Sequence, residues 1–146
     1  MNGKSVIAMQ RKRTRSKCPV NEIPPVPLEA QEQIWLFNWA MYATVKWPEL
    51  DLLYHIPNGG SRNKIEAAHL KAQGVKKGVP DLFLPVAKQG YHGLYIEMKR
   101  QKKGVLSADQ KQWIENLRKQ GYRVEVCKGF QSAADVIEDY LKGVEK

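Results

Sequence analysis

Asp81, Glu97 and Lys99 are the residues whose types and spacing could do chemistry. Asp81 follows Pro80 at the head of a short apolar run, Leu82, Phe83 and Leu84. Glu97 and Lys99 lie near the end of a second run that begins at Leu94, and a loop with Gly90 and Gly93 joins the two. Short apolar runs divided by turn residues predict adjacent strands. Side chains alternate along a strand, so Leu94, Ile96 and Met98 share one face and Tyr95, Glu97 and Lys99 the other. A carboxylate and an ammonium then stand about 7 Å apart along the strand, at two residues' rise. Asp81 falls on the face opposite Leu82 and Leu84. If the strands pair near these ends, two carboxylates and a lysine converge. Carboxylates that close repel unless one is protonated or a cation lies between them, and hard oxygen donors suit Mg²⁺ or Mn²⁺. Spacing alone is also met by a surface Glu97–Lys99 pair with Asp81 as a turn residue, and by itself favours that plainer reading.

The elements that must position these groups follow from the rest of the chain. Glu29 to about Thr44 reads as a first helix, preceded by Pro27, with Glu29 and Glu32 in its first turns where acids suit the dipole. Ile34, Phe37, Met41 and Val45 form its apolar stripe, broadened by Trp35, Leu36 and Trp39. Leu50 to Ile56 reads as a first strand, ended by the Pro57-Asn58-Gly59-Gly60 loop. Such a loop can take positive φ and present backbone N–H groups to a phosphate, although a plain turn explains it equally well. Ser61 is the expected N-cap of a helix from Arg62 to Gln73, with Ile65, Ala68, His69 and Ala72 on its stripe and Gly74 as its stop. Ser107 and Gln110 have capping-box spacing at the start of a further helix carrying Trp113, Ile114 and Leu117. Tyr122 to Cys127 alternates as a strand with Val124 and Val126 facing in. Phe130 to Leu141 closes as a helix with a stripe of Ala133, Val136, Ile137, Tyr140 and Leu141.

Composition restricts the partners. The 146 residues carry a net charge of +9, with 42% apolar and 27% charged residues. That fits one globular domain with a core of its own. The positive balance points to a polyanion, nucleic acid first. No run approaches the ~20 apolar residues of a membrane span. Cys18 and Cys127 have no metal-like spacing and read as free thiols in a reducing cytoplasm. Residues 1–28 differ from the rest. Six of them are Lys or Arg against Glu22 alone, and Pro24, Pro25 and Pro27 follow. They read as a basic arm and Pro-rich linker before a domain at 29–146. Lys76 and Lys77 precede Asp81, and Arg100, Lys102 and Lys103 follow Lys99, so basic clusters bracket the acids. His55, beside the Asn58–Gly59 loop and Arg62, is a candidate substrate contact.

Pro80-Asp81 followed by Glu97-Met98-Lys99 resembles the PD-(D/E)XK nuclease signature. The text around it is more specific: His55 to Arg62, Gly74 to Asp81, Tyr95 to Lys99, and Leu106 to Gln110 with Trp113. In that order these blocks resemble the stand-alone VRR-NUC (virus-type replication-repair nuclease) domain over roughly Glu29 to Leu141. The resemblance implies an α/β, restriction-endonuclease-like fold, a central mixed sheet flanked by helices in the order α-β-α-β-β-α-β-α. It implies a metal-dependent deoxyribonuclease in which Asp81, Glu97 and the Met98 carbonyl hold Mg²⁺ or Mn²⁺ with no organic cofactor. An acid of the first helix completes the metal site; Glu32 matches, with Glu29 as the fallback. Gln110, fully explained as a capping residue, is implied to border the active site as well. Lysine titrates near 10.4, so Lys99 serves better to orient water and offset charge than as a base. Stand-alone VRR-NUC domains resemble homodimeric junction-resolving enzymes, so branched DNA, such as a four-way junction, is the expected partner. A flap or linear-DNA nuclease, RNA as substrate, and a non-catalytic nucleic-acid-binding module stay open on sequence.

Overall fold

The structure, a computed structural model, describes residues 26–58 and 63–143. The basic arm, Cys18, Gly59, Ser61 and Arg62 lie wholly or almost wholly outside the described residues. The elements run α1 (Glu29–Ala43), a 3₁₀ turn (Pro48–Leu52), β1 (Tyr54–His55), α2 (Lys64–Ala72), β2 (Leu82–Leu84), β3 (Leu94–Lys99), α3 (Ala108–Lys119), β4 (Arg123–Lys128) and α4 (Phe130–Lys142). The sheet order is β1-β2-β3-β4. β1, β2 and β3 pair antiparallel in succession, and β4 joins β3 in parallel, from Leu94 opposite Arg123 to Lys99 opposite Lys128. This is the mixed sheet flanked by helices of a restriction-endonuclease-like fold.

Alternation along β2 and β3 divides the molecule into two layers. Leu82, Leu84, Leu94, Ile96 and Met98 face one side, where Leu36 and Ala40 of α1 and Ala133, Ile137, Tyr140 and Leu141 of α4 cover them. Each of the strand residues is fully buried, and burying an aliphatic side chain stabilises by about 1.5–3 kcal/mol. The Tyr140 hydroxyl donates to the Val86 carbonyl and accepts from the Lys88 N–H, which ties α4 to the β2–β3 connection. The other side of the sheet carries Phe83, Tyr95, Glu97 and Lys99, and α3 lies against β4 there with Ile114 and Val124 buried.

Four expectations change. The first strand shrinks to Tyr54–His55, because Leu50 and Leu53 are the buried pair and Leu52 is exposed, a three-residue spacing that suits the 3₁₀ turn. The second helix begins at Lys64 and is capped by Asn63, whose side chain accepts from the Glu66 N–H. None of its residues is buried, and Ile65 is exposed, so its expected stripe packs on no core. The inward stripe of α1 is Glu32, Leu36 and Ala40, while Ile34 and Met41 point to solvent, and Val45 falls beyond the helix in an exposed turn. In β4, Val124 faces in as expected, but Val126 is exposed and Cys127 enters the α1–α4 core as a free thiol.

Candidate active site

The antiparallel register of β2 and β3 sets Leu82 opposite Ile96, so one step outward Asp81 stands opposite Glu97. Directly opposed residues have Cβ atoms about 4.5–5.5 Å apart. Asp81 is held there from three sides. Its Oδ2 accepts the Met98 N–H at 2.8 Å. Its own carbonyl accepts the Ile56 N–H at 2.7 Å, and the His55 ring Nδ1 lies 2.8 Å from the same oxygen.

Glu97 is only 1% exposed. Its Oε1 receives the Lys99 ammonium at 2.8 Å and the Gln110 side-chain N–H. Its Oε2 is buried with no hydrogen-bond partner among the described residues. Burial, with the Asp81 and Glu29 charges and against the pull of Lys99, pushes Glu97 up to about 7. Burial also raises Asp81, against the Met98 N–H, Lys99 and His55. For Lys99, burial pulls downward, but the hydrogen bond and charge of Glu97, with Glu29 and Asp81, outweigh it and leave the ammonium above its ordinary value. A lysine in that state is a fixed cation and a hydrogen-bond donor, not a base.

The capping box of α3 explains how Gln110 reaches Glu97. The Ser107 hydroxyl accepts the Gln110 N–H, and the Gln110 Oε1 accepts the Ser107 N–H at 2.9 Å. Using its oxygen on the cap leaves the amide N–H₂ free to point at Glu97. Gly78 presses against this same helix start. It has φ +82°, and a Cβ there would come within 2.7 Å of the Asp109 backbone. A side chain at 78 would therefore push α3 away from the loop that leads to Asp81.

Of the two acids in the first turns of α1, Glu29 is the one that feels the charges of Lys99 and Asp81. Glu32 is 1% exposed, and its oxygens accept from the Gln101 side chain at 2.6 Å and from the Phe130 N–H at 2.7 Å. Phe130 opens α4, so Glu32 caps that helix from a distance and complements its dipole. Glu29, one turn earlier, is raised by burial, and the charges that act on it are Lys99, Asp81 and Arg100. The buried stripe of α1 held the signal, because Glu32, Leu36 and Ala40 recur every four residues. Gln101, the partner of Glu32, was not singled out in the sequence.

The expected nucleic-acid contacts sort differently. His55 brackets Asp81, as described. Asn58 spends its amide on the Val79 carbonyl at 2.7 Å, bracing the segment before Asp81. Lys76 and Lys77 are exposed and line a groove of about 680 Å³ with Asn58, Lys71, Val75 and Asp109. Arg100, Lys102 and Lys103 are exposed just beyond β3. Gly59 and Arg62 lie outside the described residues.

The donor set fits a divalent cation. Glu97 Oε2 is a buried carboxylate oxygen with no donor to it, and Asp81 stands across the sheet from it. Both acids are raised chiefly by burial, which disfavours their charged forms in the absence of a cation. Among the described residues no three His, Cys, Asp or Glu side chains are gathered tightly enough to hold an ion alone. The set is two carboxylates with room for a backbone carbonyl and water, as Mg²⁺ and Mn²⁺ accept.

A family model described as "VRR-NUC domain" matches residues 28–131. A solved structure titled "VRR_NUC domain protein" is 37% identical, with a TM-score of 0.68 over 78% of this chain and 88% of that one. No curated protein matches the chain.

Proposed function

The chain belongs to the VRR-NUC family, a nuclease-type domain of the PD-(D/E)XK class, and from that premise we propose that it is a metal-dependent endodeoxyribonuclease acting on branched DNA. The observation that carries this reading is Glu97, a buried carboxylate opposite Asp81 with one oxygen held by Lys99 and Gln110 and the other unpartnered. A structural ion pair would satisfy both oxygens. An acid held ready for a cation leaves one open.

In this reading Asp81 and Glu97, with the Met98 carbonyl, would hold Mg²⁺ or Mn²⁺, and Glu29 would add negative charge at the edge. The bound cation supplies a water of lowered pKa and offsets charge on the phosphate. The chain's own residues do the rest. Gln110 fixes the rotamer of Glu97. Lys99 orients the attacking water and donates to the phosphate as its charge develops. His55 and the Met98 N–H hold Asp81 in register. Lys76, Lys77, Arg100, Lys102 and Lys103 track the DNA backbone on either side, and the arm at 1–28 adds phosphate contacts. The family likeness and the +9 charge favour DNA in a cytoplasmic setting. A homodimer with two sites about a two-fold axis suits a four-way junction, whose strands match in pairs.

A non-catalytic binding module is the competing reading. Two acids beside a phosphate path would weaken such a module unless a cation compensated them. The deciding experiment is cleavage of labelled four-way junction, flap, single-stranded and linear duplex DNA with Mg²⁺, Mn²⁺ or EDTA, alongside Lys99→Ala. Paired nicks on the junction that require both metal and Lys99 support the full reading. Metal-dependent cutting of flaps or duplex alone removes the junction claim. Tight binding without cleavage under either metal overturns the enzyme assignment.

A further inference from the structure

The outer face of α1 is uncharged, and beyond Gln31 and Asn38 its exposed residues are largely apolar. From Ala30 to Val45 the only charged residue is Glu32, which is buried. At the chain's 27% charged composition a stretch of this length would carry about four. Ile34 is 55% exposed, Met41 60%, Tyr42 75% and Val45 92%. Together they leave on the order of 600 Å² of largely apolar side chain in water, the upper end for a monomer's largest patch. The helix has a well-packed inner face as well, so it is apolar nearly all round. A helix of that kind is ordinarily covered on both sides.

Spacing and charge indicate what covers it. Ile34, Asn38 and Met41 follow one another at intervals of four and three, which places them on a single straight seam of α1, and Val45 lies in the turn just past its end. This is the spacing of a helix that packs lengthwise against another helix. Asn38 is exposed in the middle of the seam. A single Asn among apolar seam residues sets register, because its amide both donates and accepts and can pair with its own copy. Two copies of a +9 chain repel each other over most of their surface. They meet at least cost where neither carries charge. An area of ~600 Å² per copy gives a total above the ~1,000 Å² expected of a biological interface.

We propose that the exposed seam of α1, Ile34–Asn38–Met41, with Val45 in the turn just past the helix, is the homodimer surface of this protein, with the two-fold axis passing near Asn38. The proposal rests on the dimer in the functional reading above and needs none of its nuclease chemistry. It also ties the two candidate sites to the axis, because Glu29 heads the same rigid helix, ~13 Å from Asn38 at 1.5 Å per residue.

The test uses the full chain at micromolar concentration. Light scattering should give twice the 16.7 kDa chain mass for the wild type. Met41→Asp should weaken self-association at least ~100-fold and give monomers, because it would bury an unpaired charge. Met41 is exposed in the single chain, so circular dichroism of the variant should match the wild type. Asn38→Cys in a Cys18→Ser background should form a disulfide-linked dimer under mild oxidation. A wild type that is monomeric overturns the proposal together with the dimer in the functional reading, and leaves the cleavage chemistry standing. A dimer that persists in Met41→Asp, with no cross-link at residue 38, overturns this surface alone.

Discussion

Replacing Glu97 with Gln should destabilise the metal-free protein at pH 5 and be close to neutral at pH 8. The carboxyl of Glu97 is raised from an ordinary 4.5 to about 7, chiefly by burial. A folded-state value above the unfolded one means that the folded chain binds the proton more tightly. Stability from this group is therefore fully present below about pH 4.5 and is lost as pH rises through about 7. The difference of some 2.5 units corresponds to roughly 3 kcal/mol at most, of which about 2–3 kcal/mol is lost between pH 5 and pH 8. Glutamine carries no charge at either pH. It leaves a buried N–H₂ where Oε2 has no partner, a roughly constant cost of about 1–3 kcal/mol. The quantity to measure is the stability difference between Glu97→Gln and wild type, by urea unfolding in EDTA at the two pH values. That difference should shift toward the variant by about 2 kcal/mol on going from pH 5 to pH 8. Comparing the two proteins cancels the other titrating groups. Added Mg²⁺ or Mn²⁺ should stabilise the wild type at pH 8 and not the variant. A stability difference that is the same at both pH values would refute the argument that burial raises the Glu97 carboxyl, and an equal metal effect on both proteins would remove it from the cation site.

Other perturbations separate the remaining roles. Glu32→Ala should destabilise by about 2–4 kcal/mol, since the Phe130 N–H and the Gln101 amide lose their acceptor; a neutral result in thermal unfolding would refute its bracing role. Glu29→Gln should leave stability within about 0.5 kcal/mol while lowering cleavage roughly 10–100-fold, and the reverse pattern in the two variants would return the metal-site role to Glu32. Gln110→Ala should cost about 1 kcal/mol from the lost cap and roughly 10–100-fold in activity or metal affinity. Retention of full activity would make Gln110 a capping residue alone. Deleting Met1–Val20 should weaken DNA binding and flatten its salt dependence without changing the unfolding midpoint, and an unchanged salt slope would show that the arm touches no phosphate.

The geometry of the candidate site was legible in sequence wherever it rests on local rules. Strand alternation puts Glu97 and Lys99 on one face whatever surrounds them, and turn residues before Leu82 put Asp81 at a strand head. The capping box of Ser107 and Gln110 is set by spacing of three and formed as expected, as did the buried stripe of α4. Tertiary structure decided what local rules leave open. The register of β2 on β3 set Asp81 against Glu97, and that depends on where two distant segments meet. Gln110 has one role in its own helix and a second only because α3 lies against the end of β3. Glu29 and Glu32 are one turn apart on a helix with apolar residues on nearly every side. Composition could not say which stripe of such a helix faces in. The packing of Leu36 and Ala40 against the sheet and α4 decided it. That packing drew Glu32 under the start of α4, left Glu29 at the acid cluster, and turned Ile34 and Met41 outward.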